Sequence, residues 1–144
     1  MSQVQVYRCF LPLAALAQAE GDHKQAIRLY QESLAGIAGI EGNGDLWSDY
    51  LLHLADLAEA MGQHELTARL LGAVEAVDTS GYRLKPDDRD EYNHLADAAR
   101  MHLGAAGFDV VWVEGRASPF EQVVEEAVSI LEATLHVQDQ ATLA

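Results

Sequence analysis

The chain has 144 residues, about half of them apolar, with 9 Lys and Arg against 23 Asp and Glu and a formal net charge of −14. Nucleic-acid affinity comes largely from neutralised phosphates, and anionic membranes attract basic segments, so this balance excludes both as primary partners. The length fits one domain, the lone Cys9 excludes an internal disulfide and a Cys-rich zinc site, and no apolar run reaches the ~20 residues of a membrane span.

Helical periodicity dominates from one end to the other. A first helix is expected over about residues 4–19, with Pro12 kinking it or displacing its start. Arg8, the apolar run from Cys9 to Ala17 and Ala17-Gln18-Ala19 together resemble a signal peptide with its cleavage site. The same pattern recurs at residues 54–60, inside the chain, so the segment is read as a helix. Gly21 supplies a stop, and Asp22 with Gln25 makes a capping-box pattern for a second helix bearing Ala26, Leu29, Tyr30, Ser33, Leu34 and Ile37 on one stripe. Gly39 to Asp45 reads as a loop. A third helix is expected over about 46–61, broken by Gly62, and a fourth over about 64–77. After a loop reaching Pro86, that proline with Asp87 and Asp88 opens a fifth helix whose stripe is Tyr92, Leu95, Ala96, Ala99 and Leu103. Residues 108–113, FDVVWV, have strand propensity, but a lone strand lacks a pairing partner, and a short helix is expected. Ser118-Pro119-Phe120-Glu121 reads as the capping box of a last helix burying Val123, Val124, Ala127, Val128, Leu131 and Leu135.

One segment occurs twice. Residues 13–29, LAALAQAEGDHKQAIRL, and 54–70, LADLAEAMGQHELTARL, align at an offset of 41 with nine identities, among them Gly21/Gly62 and His23/His64. Periods of roughly 20–50 residues signify stacked supersecondary units that bury their apolar faces only against neighbours. Phe10, Leu13, Ala14, Ala17, Gly21, Ala26, Tyr30 and Ser33 resemble the tetratricopeptide pattern of large, small, turn and aromatic positions. The second copy is looser, with Thr67, Leu71 and Val74 at the later positions, and the spacing is longer than the family's usual one. The resemblance implies an all-α fold of antiparallel helix pairs stacked as a right-handed array of six to seven helices. Repeat one would span about 4–38, repeat two about 46–78, and C-terminal capping helices about 86–136. Two copies fall short of the ~3 that such stacks need, so the C-terminal helices or a second chain must complete the array.

A second likeness rests on Arg69-Leu70-Leu71-Gly72-Ala73-Val74-Glu75-Ala76, then Pro86, Arg89, Tyr92, Trp112, Glu114-Gly115-Arg116-Ala117, Glu121 and Ala127. These residues resemble the C-terminal helical segment of bacterial regulators that combine a STAND-type NTPase with LuxR-type or AfsR/SARP-type DNA-binding domains. The resemblance covers about residues 13–135 and implies a cytoplasmic sensing or interaction module, either a fragment of such a regulator or a free-standing relative. The phosphate loop of the NTPase and a basic recognition helix are both missing from the sequence.

No catalytic pattern emerges: serines stand at caps and flanks, carboxylates are spread along faces, and no cofactor is expected. Six histidines are present, none three or four residues from another. Asp49 with His53, and Glu91 with His94, could each give two ligands from one helix, but nothing in the sequence gathers a third, and no metal is expected. His23 and His64 recur beside the turn glycines, which argues for a local structural role. Stacking of the tetratricopeptide kind would place Arg8, Leu11, Ala15 and Gln18 in a groove with Asp49, Leu52, Asp56 and Glu59. That groove would be acidic with an apolar floor, suited to a basic amphipathic peptide or protein. The alternative is a small-molecule effector pocket between repeat two and the C-terminal helices. The state is expected to range from monomer to homodimer, and Trp47 and Trp112 are expected in the core.

Overall fold

The computed structural model describes residues 12–37, 44–78 and 84–143. Among them there are six helical elements and no strand: α1 over residues 12–19, α2 His23–Ile37, α3 Gly44–Ala60, α4 His64–Asp78, α5 Pro86–Ala117 and α6 Phe120–Leu143. Residues 4–11 of the expected first helix lie outside the described residues, as do 39–43 and 79–83 of the two expected loops. Gly44 and Asp45, expected in the first of those loops, already belong to α3. Residues 108–113 are helical. The chain divides into two compact units, one of Met1–Gly42 with Val128–Ala144 and one of Asn43–Ala127.

The two copies of the repeat close with the same turn. Gly21 and Gly62 have φ of 79° and 78°, a left-handed conformation that strains any residue with a Cβ. In each, the glycine N–H bonds the carbonyl three residues back (Gln18 at 3.0 Å, Glu59 at 3.1 Å). The next N–H bonds the carbonyl five back (Ala17 at 2.9 Å, Ala58 at 2.8 Å). This Schellman pattern satisfies the last carbonyls of α1 and of α3 and reverses the chain. Beyond the first turn, the Asp22 carboxylate accepts the Gln25 N–H at 3.2 Å and caps α2 as expected.

A third positive-φ glycine lies inside α5. Gly104 has φ 77° and ψ 161°, which no α-helix accommodates. Side chains far apart in sequence meet across it: Trp112 Nε1 donates to Tyr92 Oη at 2.9 Å, and the Arg100 guanidinium lies 4.5 Å from the Phe108 ring centre. Twenty residues of straight helix would hold Tyr92 and Trp112 about 30 Å apart. α5 is therefore a hairpin with limbs over 86–103 and 105–117. Its glycine follows Gly62 by 42 residues, as Gly62 follows Gly21 by 41. Leu95-Ala96-Asp97 and Ala99 repeat Leu54-Ala55-Asp56 and Ala58 at the same offset of 41. Among the described residues, a positive-φ glycine thus recurs at this spacing three times, not the two first legible.

The second limb of α5 crosses α4 with the backbones in near contact. A Cβ at Gly72 would lie 2.1 Å from the Trp112 carbonyl oxygen, and one at Gly115 would lie 2.0 Å from the Arg69 carbonyl oxygen. Only a glycine pair permits this approach, so the motif residues around Gly72 and Gly115 encode a helix crossing. The core of this unit is built on Tyr50, Leu51, Leu54, Leu57, Leu70, Leu71 and Val74, all fully buried. In the other unit Ala14, Ala26, Tyr30 and Ser33 are fully buried, the Ser33 hydroxyl donating to the Leu29 carbonyl at 2.9 Å. Pro86 starts α5 with Asp87 and Asp88 in its first turn, as the sequence leads one to expect. The capping box at Ser118 does not form. Its hydroxyl donates to the Glu114 carbonyl at 2.8 Å and closes α5, while Pro119 offers its carbonyl to the first turn of α6.

Candidate functional site

The groove residues expected from the repeat pattern meet different fates. Arg8 and Leu11 lie outside the described residues. Gln18 is half-buried and accepts a hydrogen bond from the Tyr30 hydroxyl at 3.2 Å. On α3, Leu52 is only 5% exposed, so the apolar floor expected there is core. Asp49 stands 3.6 Å from His53, one turn on, and Asp56 is half-buried. The Glu59 side chain is 14% exposed and holds His64 Nδ1 at 2.8 Å, so it faces its own turn.

The third hairpin repeats this face in more open form. At the offset of 41, Asp49, Leu52, Asp56 and Glu59 correspond to Asp90, Asn93, Asp97 and Arg100. All four are exposed. Asn93, Asp97 and Arg100 border a cleft of about 490 Å³ between the limbs of α5, walled by Tyr92, Phe108 and Trp112 and rimmed also by Asp109. Asp97 lies 3.6 Å from Arg100. Such an exposed pair contributes little to stability. Its rearrangement on binding is correspondingly cheap.

One aromatic network holds the cleft open. Trp112 is half-buried, its indole N–H on Tyr92 and the Arg116 guanidinium 5.6 Å from its ring centre. Arg89 lies over Tyr92 at 4.7 Å and donates to Glu75 at 3.1 Å. Trp47, by contrast, is buried, edge-on to Tyr50 at 6.2 Å. Burial, reinforced by the Glu75 carboxylate, pushes the Tyr92 phenol above its ordinary 10.0, although the Trp112 hydrogen bond and the Arg89 charge oppose it. The unfolded chain ionises this phenol first as pH rises. The stability tied to neutral Tyr92 is thus intact below pH 10.0 and lost above it. Tyr92→Phe should weaken folding by about 1 kcal/mol at neutral pH, because the indole N–H loses its acceptor. It should also remove part of the alkaline loss, which urea denaturation at pH 8 and at pH 11 will measure.

A second constellation lies at the end of α3. The Gly62 turn sets Glu59 beside His64, and the first limb of α5 brings His102 onto the His64 ring, the two imidazoles stacked at 3.7 Å and 5° from parallel. One ligand-type atom from each of the three falls within 4.8 Å of the others. Glu59 Oε2 is buried with no hydrogen-bond partner. The sequence pairs proposed as ligand donors, Asp49 with His53 and Glu91 with His94, take no part in it. Glu59 and His64, five residues apart across a glycine turn, were a legible half of this cluster; His102 carried no sequence signal.

No family model, curated protein or solved structure matches the chain. The two likenesses drawn from the sequence therefore rest on its own residues alone.

Proposed function

We propose that the chain is a non-enzymatic, tetratricopeptide-like interaction module, a sensing or protein-binding segment of a bacterial transcriptional or signalling regulator. The observation that carries this reading is the recurrence of a positive-φ glycine between paired helices at Gly21, Gly62 and Gly104, 41 and 42 residues apart. Three such hairpins would meet the number that such stacks require. The packing of α5 chiefly on α4 and also on α3 is the neighbour pattern of stacked helix hairpins. The binding face is borne by the first limb of α5, where Asp90, Asn93 and Asp97 take the register of Asp49, Leu52 and Asp56 and are exposed near the aromatic cleft. Its partner is a basic, amphipathic peptide or helix: cationic side chains meet Asp90, Asp97 and Asp109, and an apolar side chain enters between Tyr92, Phe108 and Trp112.

A Lys- and Leu-rich helical peptide, followed by fluorescence anisotropy, tests this. Affinity should fall steeply with salt, and Asp90→Lys with Asp97→Lys should weaken binding by about tenfold or more at low salt. Unchanged capture by that double variant sinks the reading. A second reading has its own support, because a cleft of about 490 Å³ lined by aromatics suits a small effector. Binding there would be nearly indifferent to salt and would be lost on Trp112→Ala.

A further inference from the structure

We propose that Glu59, His64 and His102 form a binding site for a divalent transition-metal ion of the zinc class. Three features of the cluster point there together. Two imidazoles and one carboxylate are the donor set that borderline cations prefer over Mg²⁺ or Ca²⁺, which take oxygen ligands. Their ligand atoms already lie within 4.8 Å of one another. The ligands of a tetrahedral zinc ion stand about 3.4 Å apart, for bonds near 2.0–2.1 Å. The remaining closure is within reach of side-chain rotation.

The burial of Glu59 supplies the electrostatic argument. Its Oε1 holds His64 Nδ1 at 2.8 Å, while Oε2 is buried without a hydrogen-bond partner. An acceptor in that position is costly to leave unpaired, and a cation is the partner that satisfies a carboxylate oxygen most strongly. The two rings are stacked 3.7 Å apart and nearly parallel, so coordination of one ion by both requires one ring to turn. His102 is exposed, and the χ2 torsion of histidine has a broad, shallow profile, so that ring can swing its nitrogen to the shared point. Three protein ligands leave a fourth position for water or for an acidic group of a partner.

The duplication offers an internal control. The first turn carries Gln18 and His23 where the second carries Glu59 and His64. Its amide accepts a hydrogen bond from Tyr30 and brings no charge to a metal. The recurring histidine alone therefore does not make a site. The carboxylate and the histidine from the third unit do.

Calorimetric titration of the full chain with zinc chloride, after treatment with a chelator, should give one ion per chain with a dissociation constant in the micromolar range or tighter. Cobalt(II) should give the intense visible absorption of a tetrahedral site. His102→Gln alters an exposed side chain and leaves the fold intact, which far-ultraviolet circular dichroism will verify, and it should weaken zinc binding by ~100-fold, at least the loss that follows from disturbing a ligand's support. Glu59→Gln should do the same. His94→Gln, on the same limb, should leave affinity unchanged. Equal zinc affinity in the wild type and His102→Gln, equal weakening by His94→Gln, or no one-to-one binding below ~100 µM zinc overturns the proposal.

Discussion

Gly72→Ala should lower the thermal midpoint by roughly 10 °C, and Gly115→Ala by a similar amount. The sign is opposite to that of most glycines inside helices, where alanine gains about 1 kcal/mol of propensity. Here the new methyl group would stand 2.1 Å from the Trp112 carbonyl oxygen, or, at Gly115, 2.0 Å from that of Arg69. The obstructing atoms are backbone, so no rotamer change relieves the clash and α4 must separate from the second limb of α5. Overpacking costs about 1–3 kcal/mol, and a backbone-to-backbone case belongs at the upper end. At roughly 3 °C per kcal/mol for a chain of this size, about 3 kcal/mol sets the shift. Gly107→Ala is the contrasting case, because its methyl meets Leu103 Cβ at an ordinary 3.6 Å. That variant should gain about 0.5–1 kcal/mol. The two glycines lie at one helix crossing, Gly72 against Trp112 and Gly115 against Arg69, so the double variant should lose less than the sum. Differential scanning calorimetry of the four proteins decides it; a rise in midpoint for Gly72→Ala would show that the helices do not cross this closely.

The next largest effect is expected at Gly104, where the α5 hairpin folds. Its φ of 77° with ψ of 161° lies in a region that only glycine occupies without strain. Gly104→Ala should therefore destabilise by about 1–3 kcal/mol, read as a shift of the urea midpoint. Nothing stands within 4 Å of a Cβ built there, so the loss is conformational and not steric. A D-alanine introduced by semisynthesis prefers the mirror-image backbone and should restore stability. Should L-alanine and D-alanine behave alike, the turn does not have this conformation in solution. Because the turn sets Trp112 against Tyr92, the L-alanine variant should also change the environment of the indole, which fluorescence reports.

Much of the fold was legible because helices advertise themselves locally. Gly21, Gly62 and Pro86 punctuate the chain by their own backbone preferences, and Asp22 caps α2 through a bond to a residue three positions away. The α5 hairpin left a trace in the sequence as Leu95-Ala96-Asp97 and Gly104. One extra residue before the glycine and a divergent second limb hid it from alignment at a constant offset. Ser118 misled for a local reason: its hydroxyl could cap the following helix or bond the preceding one, and the carbonyl of Glu114 was the nearer acceptor.

The candidate sites were less legible. Leu52 looked like a groove floor because periodicity identifies a helix face without saying what covers it. Trp112 looked like core, yet it walls a cleft, because the position of the second α5 limb is set by the glycine crossing with α4.

By itself the sequence determined the all-helical character, the acidic surface and the left-handed turns at Gly21 and Gly62, since charge, period and backbone freedom are properties of single residues and short windows. Only the tertiary structure decided that Gly72 and Gly115 meet, that α5 doubles back on itself, and that His102 reaches Glu59 and His64. Contacts between residues distant in the chain depend on how helices pack, and packing is a property of the whole core.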